Sequence, residues 1–185
     1  MSVGGLVLAA GEGRRFGRPK ALVEFDGQRF VDRAVRLLLA GGCEPLVVVA
    51  GAVPLDIDDA DVVYNDAWAT GLGSSLRAGL ESLGPEVDAA VVALVDQPWV
   101  GPDAVRRLRA ARRAGAVVAV ATYAGRRGNP VLIGREVWAQ VSELAVGDVG
   151  ARAFMSAHPE QVTEVACDGT GHPDDVDRPA DLPHD

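Results

Sequence analysis

The sequence predicts an α/β protein in three layers, a mostly parallel open sheet with helices on both faces. Three observations predict it. Short apolar runs closed by glycine or aspartate alternate along the chain with segments whose apolar residues recur at helical spacing. The most apolar run, residues 89–95, lies between Asp88 and Asp96 and is too short to cross a membrane, which suits a strand buried on both faces of a parallel sheet. The alternation runs the length of the chain with no fixed-period repeat and no low-complexity linker, so the 185 residues read as one domain, 1–185.

Residues 3–9 form the first strand, which ends in Ala10-Gly11-Glu12-Gly13 and opens into a long loop. Phe30, Val31, Ala34, Val35, Leu37 and Leu38 then follow helical spacing until Gly41-Gly42 stops the helix. Residues 46–50 are a second strand closed by Gly51, and residues 62–64 a short third. Residues 74–83 read as a helix with Leu76, Leu80 and Leu83 on one side, ended by Gly84-Pro85. The strand at 89–95 is terminated by Asp96-Gln97-Pro98, Pro102 opens a basic helix to Ala114, and residues 116–122 form another strand. The arginines of that helix, Arg106, Arg107, Arg109, Arg112 and Arg113, read as a solvated face. Residues 125–128 are a turn, 129–133 a strand, 136–144 and 150–158 helices, and 162–166 a late strand. In open α/β sheets ligands sit beyond the carboxyl ends of the strands, and the segments 9–20, 65–75 and 96–98 each follow a predicted strand directly.

Composition narrows the function classes. Eighteen basic residues against 26 acidic ones give a net charge of -8, which argues against coating a nucleic acid or an anionic membrane. Positive charge is nevertheless local: Arg14, Arg15, Arg18 and Lys20 fall within seven residues, and Lys20 is the only lysine among the 18 basic residues. Arginine and lysine are not interchangeable, so this single ammonium reads as a chemical demand. Two cysteines, Cys43 and Cys167, make no disulfide framework, and the N-terminus has no basic segment followed by an apolar stretch and cleavage site. A cytoplasmic, reducing setting is expected.

The stretch Leu8-Ala9-Ala10-Gly11-Glu12-Gly13-Arg14-Arg15-Phe16-Gly17-Arg18-Pro19-Lys20 is the most informative, because glycines after a strand let backbone N–H groups approach phosphate oxygens. It is not a Walker A loop, since Arg18-Pro19 separates Gly17 from Lys20 and alanine follows the lysine. It is not a dinucleotide fingerprint either: position 16 is phenylalanine where that motif wants glycine, and the second strand ends in Ala50-Gly51 rather than an acid. His158, His172 and His184 show no metal-ligand spacing with the cysteines, and Gly71-Leu72-Gly73-Ser74-Ser75 is no nucleophile elbow. His172 sits in a turn-rich loop, residues 168–173.

This loop resembles that of the MobA-like nucleotidyltransferases. The resemblance continues through Tyr64-Asn65-Asp66-Ala67-Trp68, Gly71-Leu72-Gly73-Ser74-Ser75-Leu76, Leu94-Val95-Asp96-Gln97-Pro98, Arg127-Gly128-Asn129-Pro130-Val131, Gly147-Asp148-Val149-Gly150-Ala151-Arg152 and Asp175-Val176-Asp177-Arg178-Pro179. Within the superfamily the pattern is most similar to the molybdenum cofactor cytidylyltransferases, whose loop carries Ala-Ala-Gly where guanylyl enzymes usually carry Ala-Gly-Gly; the group also contains proteins named nicotine blue oxidoreductases. The resemblance implies a Rossmann-like nucleotide-diphospho-sugar transferase fold and a Mg2+-dependent transfer of CMP from CTP to a phosphorylated molybdopterin-type acceptor. A molybdoenzyme that accepts the product is the implied protein partner.

On that resemblance, Lys20, Arg15 and Asp96 are the catalytic residues. Leu8, Ala9, Ala10, Gly11, Glu12, Gly13, Asn65, Gly71, Ser74 and Ser75 join Lys20 and Asp96 in holding the nucleotide, while Arg14 and Arg18 are helpers or face solvent. The metal falls to Asp96 with Asp175 or Asp177, both of which qualify. Asn129, Pro130, Asp148 and Arg152 face the acceptor, and Asn129 departs from the group's usual middle residue. Two other readings stand beside transfer: an NAD(P)H-dependent oxidoreductase of the nicotine-blue type, and a nucleotide-dependent protein that delivers a cofactor.

Overall fold

The computed structural model describes residues 1–183, so His184 lies outside the described residues. Strands β1 (Ser2–Leu8), β4 (Leu46–Ala50), β5 (Asp61–Tyr64), β6 (Val87–Leu94), β7 (Val118–Tyr123), β8 (Arg126–Gly134) and β9 (Val162–Ala166) form one sheet in the order β5-β4-β1-β6-β8-β7-β9. A small hairpin pairs β2 (Glu24–Phe25) with β3 (Gln28–Arg29). The helices are α1 (Phe30–Ala40), α2 (Leu72–Ser82), α3 (Pro102–Arg113), α4 (Trp138–Leu144) and α5 (Arg152–Ala157). The predicted mostly parallel sheet is what forms: β1 pairs parallel with β4 and β6, β4 with β5, and β7 with β9, while β8 alone runs antiparallel to both its neighbours.

Strand alternation divides the core into two layers. Val7, Val48, Val91 and Leu132 meet Phe30, Val35 and Leu38 of α1 and Leu108 of α3 on one face. Leu6, Val49, Val92 and Ile133 meet Leu76 and Leu80 of α2, Val141 of α4 and Phe154 of α5 on the other. Each such fully buried leucine or phenylalanine stabilises the fold by about 1.5–3 kcal/mol relative to an exposed one. Gly79 in α2 makes the close helix–sheet approach possible, because a Cβ there would run into Leu6 of β1.

Three expectations are corrected. The turn placed at 125–128 is Ala124-Gly125, both at positive φ (49° and 73°), and Arg126 and Arg127 already pair with Tyr123 and Thr122. Their exposed polar side chains hide a strand that is held there by backbone bonds rather than by burial. The hairpin at 24–29 was not expected, although Asp26-Gly27 (φ 51° and 69°) is a strong two-residue hairpin turn. Nor is the arginine-rich side of α3 simply solvated. Arg106 donates to the Ala40 carbonyl at 2.7 Å, Arg109 to the Gly41 carbonyl at 2.9 Å, Arg107 to the Ala166 carbonyl at 2.8 Å, and Arg112 to Glu136 at 2.6 Å. The first three satisfy carbonyls left over at the ends of α1 and β9, and Arg112 forms an ion pair.

The consequence for function is positional. β1 and β6 lie side by side at the centre of the sheet, and their carboxyl ends release the residue 9–20 loop and Asp96 next to each other. Among the described residues no helix is long and apolar enough to cross a membrane.

Candidate active site

Two adjoining clefts lie over the carboxyl ends of β1 and β6, and Leu8, Leu72 and Leu94 border both. The first, about 510 Å3, is walled by Ala10, Gly11, Glu12, Gly13, Arg14, Arg15 and Lys20 on one side and Trp68, Ala69, Gly71 and Ser75 on the other, with Asp96 and Asp148 at its edges. The loop from β1 is built by its glycines. Gly13 has φ +68°, and a Cβ there would run into the Arg18 carbonyl; its own carbonyl accepts from Phe16 N at 3.0 Å and Gly17 N at 2.9 Å. The backbone N–H groups of residues 11–15, by contrast, donate to no acceptor among the described residues. Such consecutive unpaired donors form a nest for an anion.

Charge gathers at the end of this loop. Lys20 Nζ donates to Asp96 Oδ2 at 2.8 Å and to Asp177 Oδ1 at 2.6 Å, and Arg15 Nη1 donates to Asp177 Oδ2 at 2.6 Å. Burial alone would lower the pKa of the Lys20 ammonium, but its hydrogen bonds to Asp177 and Asp96 outweigh that and hold it above the usual lysine value. Asp177 is held below the usual carboxylate range, chiefly by the Lys20 hydrogen bond and further by Lys20, Arg15 and Arg178. Both ends of the bridge are therefore charged at neutral pH.

The C-terminal segment is strapped onto the end of β6. Val176 is fully buried, its N–H donating to the Asp96 carbonyl at 2.9 Å, while Gln97 Nε2 donates to the Pro173 carbonyl at 3.0 Å and to Asp175 Oδ1 at 2.8 Å. The strap separates the two aspartates that the sequence leaves equivalent. Asp177 closes on Lys20, whereas Asp175 lines the second cleft, where desolvation raises its pKa despite the Gln97 hydrogen bond. Asp96 and Asp177 together offer hard carboxylate oxygens around one ammonium. No cluster of three or more histidine, cysteine or acidic side chains suited to a metal occurs among the described residues. This donor set fits Mg2+, which commonly takes one or two carboxylates and completes its shell with phosphate and water oxygens.

Several expected nucleotide residues are placed differently. Ala9 is buried beneath the loop, its N–H bonded to the Val49 carbonyl at 3.0 Å. Asn65 and Ser74 also lie outside the first cleft: the buried Asn65 amide donates to Ser74 Oγ at 2.9 Å and Ser75 Oγ at 3.0 Å, and its oxygen accepts from Ala67 N at 3.0 Å. Asn65 thus shapes the 65–75 loop from within. Gly71, at φ +115°, turns that loop into α2, since a Cβ would meet the Gly147 backbone at 2.5 Å. Arg14 lines the cleft, but Arg18 is exposed outside it. Trp68 was missed. Its indole presses against Gly51, where a Cβ would lie 2.6 Å from Trp68 Cβ, and a large amphipathic ring inside an otherwise small and polar loop was the available signal.

The second cleft, about 450 Å3, has an apolar floor of Leu76, Val92, Val120, Val131 and Met155, with Gln97, Arg127, Asn129, Arg152 and Asp175 at its polar edge. Asn129 and Arg152 fall where the sequence places them. Pro130 does not: it is buried within β8 and lines neither cleft. Asp148 is corrected to the first cleft, because the left-handed glycines Gly147 (φ 61°) and Gly150 (φ 52°) turn it over the start of α2, where its Oδ1 accepts from Leu72 N at 3.2 Å. His172 stacks on Trp99 at 4.9 Å and lines neither cleft.

Comparison with known proteins identifies the family. Residues 5–162 match the MobA-like NTP transferase domain. The chain is 35% identical to nicotine blue oxidoreductase of Paenarthrobacter nicotinovorans, over 95% of this chain and 92% of that one. It is 36% identical to the molybdenum cofactor guanylyltransferase of Rhodobacter capsulatus, over 63% of this chain and 62% of that one. The crystal structure of Rv0371c from Mycobacterium tuberculosis H37Rv superposes with a TM-score of 0.84 at 29% identity, covering 98% of this chain and 95% of that one. A structure of that mycobacterial protein in complex with manganese superposes with a TM-score of 0.79 at 27% identity, covering 95% and 94%. A domain match over most of the chain, with the loop, aspartates and paired clefts all present in the fold, establishes that this protein belongs to the MobA-like NTP transferase family.

Proposed function

We propose that the protein is a Mg2+-dependent nucleotidyltransferase that moves CMP from CTP onto a phosphorylated molybdopterin-type acceptor. The observation that carries this reading is the Lys20 bridge to Asp96 and Asp177 beside a loop of unpaired backbone N–H groups. An acceptor phosphate oxygen attacks the α-phosphorus, the bond to the β-phosphate breaks, and pyrophosphate leaves with its charge. The attacking oxygen is already ionised at neutral pH, so no general base is needed. What the reaction needs is fixed positive charge where negative charge grows.

In this reading the N–H groups of residues 11–15 cradle the β- and γ-phosphates, Arg15 pairs with them, and Lys20 reaches the α-phosphate. Asp96 and Asp177 hold the divalent ion, which when bound neutralises phosphate charge and orients the leaving group. The Ala9-Ala10-Gly11 opening of the loop, where guanylyl enzymes usually carry Ala-Gly-Gly, supports CTP as the donor. Relatives named guanylyltransferases make GTP the natural competitor. The second cleft takes the acceptor.

A second reading is favoured by one observation, the relative named nicotine blue oxidoreductase that aligns over nearly the whole chain. In that case the same cleft takes a reduced nicotinamide cofactor. Binding isotherms for CTP, GTP, NADH and NADPH, with and without Mg2+, on wild type and Lys20→Ala, separate the two. Metal-dependent CTP binding that Lys20→Ala loses supports transfer. Metal-independent NAD(P)H binding with no nucleoside triphosphate preference replaces it with reduction.

A further inference from the structure

A cleft that seats a triphosphate is expected to carry net positive charge, and this one does not. Arg14, Arg15 and Lys20 line it, but so do the carboxylates Glu12, Asp96 and Asp148. A further carboxylate arrives from the C-terminal strap, where Asp177 accepts from Lys20 Nζ at 2.6 Å and from Arg15 Nη1 at 2.6 Å. Lys20 is also held by Asp96 at 2.8 Å, and Arg14 is paired with Glu12. Each of the three cations thus has a carboxylate partner, and a polyanion entering alone meets no unpaired cation in this cleft among the described residues. The backbone N–H groups of residues 11–15 remain to it.

Asp177 is the carboxylate that Arg15 and Lys20 share, and its place is fixed from behind. The N–H groups of Asp177 and Arg178 donate to Asp181 Oδ2 at 2.8 and 2.7 Å, and the buried Val176 ties the strap to the Asp96 carbonyl at 2.9 Å. One Asp177 oxygen takes the Lys20 ammonium and the other the Arg15 guanidinium, as two phosphate oxygens would. We propose that Asp177 is a specificity-determining residue that stands in for phosphate in the empty cleft, so that the protein excludes free polyphosphate anions and accepts a triphosphate only as its divalent-metal complex. With a dication as its alternative partner, the Asp177 carboxylate releases Arg15 and Lys20 to the phosphates. This inference rests on the reading of the first cleft as the triphosphate site.

The test is calorimetric titration with inorganic tripolyphosphate and with CTP, each in EDTA and in Mg2+ at fixed ionic strength, with no turnover required. Wild type is expected to bind both probes about tenfold or more tightly with Mg2+ than in EDTA. Asp177→Asn should bind both metal-free probes about tenfold more tightly than wild type, the gain that goes with freeing charged donors, and its Mg2+ enhancement should shrink accordingly. Asp177→Ala should do the same and serves if the asparagine variant does not fold. Asp174→Asn makes the same charge change elsewhere on the strap, where Asp174 pairs with His172 at 3.0 Å, and should leave every affinity within about twofold of wild type. If Asp177 only braces the site, its removal weakens metal-free binding or leaves it unchanged, and either result overturns the proposal. Equal tightening by Asp174→Asn overturns it too, as does a wild type indifferent to Mg2+. Mg2+-dependent CTP binding with no metal-free gain in the Asp177 variants overturns this inference alone. A wild type that binds neither probe under any condition overturns the assignment of the first cleft and this inference with it.

Discussion

The two clefts share a wall and differ in how they are made. The first takes its charged groups mainly from one continuous piece of chain: a glycine loop after β1 supplies backbone donors, a lysine and arginines within ten residues. The 65–75 loop, the end of β6 with Asp96, and Asp148 complete the wall, and Asp177 reaches Lys20 from the C-terminal strap. The second is gathered from β6, β7, β8, α2, α5 and the C-terminal strap, each contributing a few residues from a different part of the chain. Chemistry that is the same for every acceptor can be written into a local loop, whereas recognition of a particular acceptor is written into packing. Substitutions should therefore behave differently on the two sides of Leu8, Leu72 and Leu94.

The largest effect is expected at Lys20. Removing one preorganised charge from a developing phosphate costs about 10²–10³ in turnover, and Lys20→Ala should reach the upper end because no second lysine exists to substitute. Pyrophosphate release under saturating CTP and acceptor measures it. A loss below about tenfold would remove the first cleft from the chemistry. Gly13→Ala comes next. Its φ of +68° and the Arg18 carbonyl in the path of any Cβ should deform the loop, weakening CTP binding by about a hundredfold, with a loss of stability of about 1–3 kcal/mol because Phe16 of the same loop is part of the core.

The second cleft should answer in another parameter. Met155→Ala removes apolar floor without touching the charged cluster, so the acceptor KM should rise about tenfold with CTP affinity unchanged. Steady-state kinetics with each substrate varied in turn makes the distinction. Equal changes in both constants would mean that the clefts act as one site.

The same contrast explains what the sequence revealed. The order of strands and helices was legible because the sheet is buried on both faces, so its strands read as apolar runs from Val3 to Val95 and beyond. Lys20, Arg15 and Asp96 were legible because they sit where strand ends meet a glycine loop. Asp177 could not be separated from Asp175, since only the buried Val176 and its bond to the Asp96 carbonyl turn one toward Lys20 and the other toward the second cleft. Asn65 and Ser74 looked like ligands for the reason that they are polar beside a site, and they are polar because they bond to each other. Gln97 stood in the 96–98 segment after the strand, but its tie to the Pro173 carbonyl 76 residues away was not legible in the sequence.

The smallest expected effect concerns pH and sharpens the comparison from the charged side. Asp177 has a folded pKa below its ordinary value, so its stabilising contribution is complete above the unfolded carboxylate value near 3.8 and is lost as pH falls through the folded one. Lys20 has a raised folded pKa, so its contribution is complete below the ordinary lysine value near 10.5 and is lost as pH rises through the folded one. Between about pH 5 and 9 neither group titrates, and the stability difference between wild type and Asp177→Asn should be flat across that window. It should shrink only below about pH 4. Because the Asp177 side chain is 31% exposed and Arg15 is 69% exposed, the plateau should be about 1 kcal/mol or less. Urea unfolding of both proteins from pH 3 to 9 measures it. A difference that instead varied between pH 6 and 8 would require a group titrating near neutrality in contact with Asp177, in place of the charged bridge that defines the first cleft.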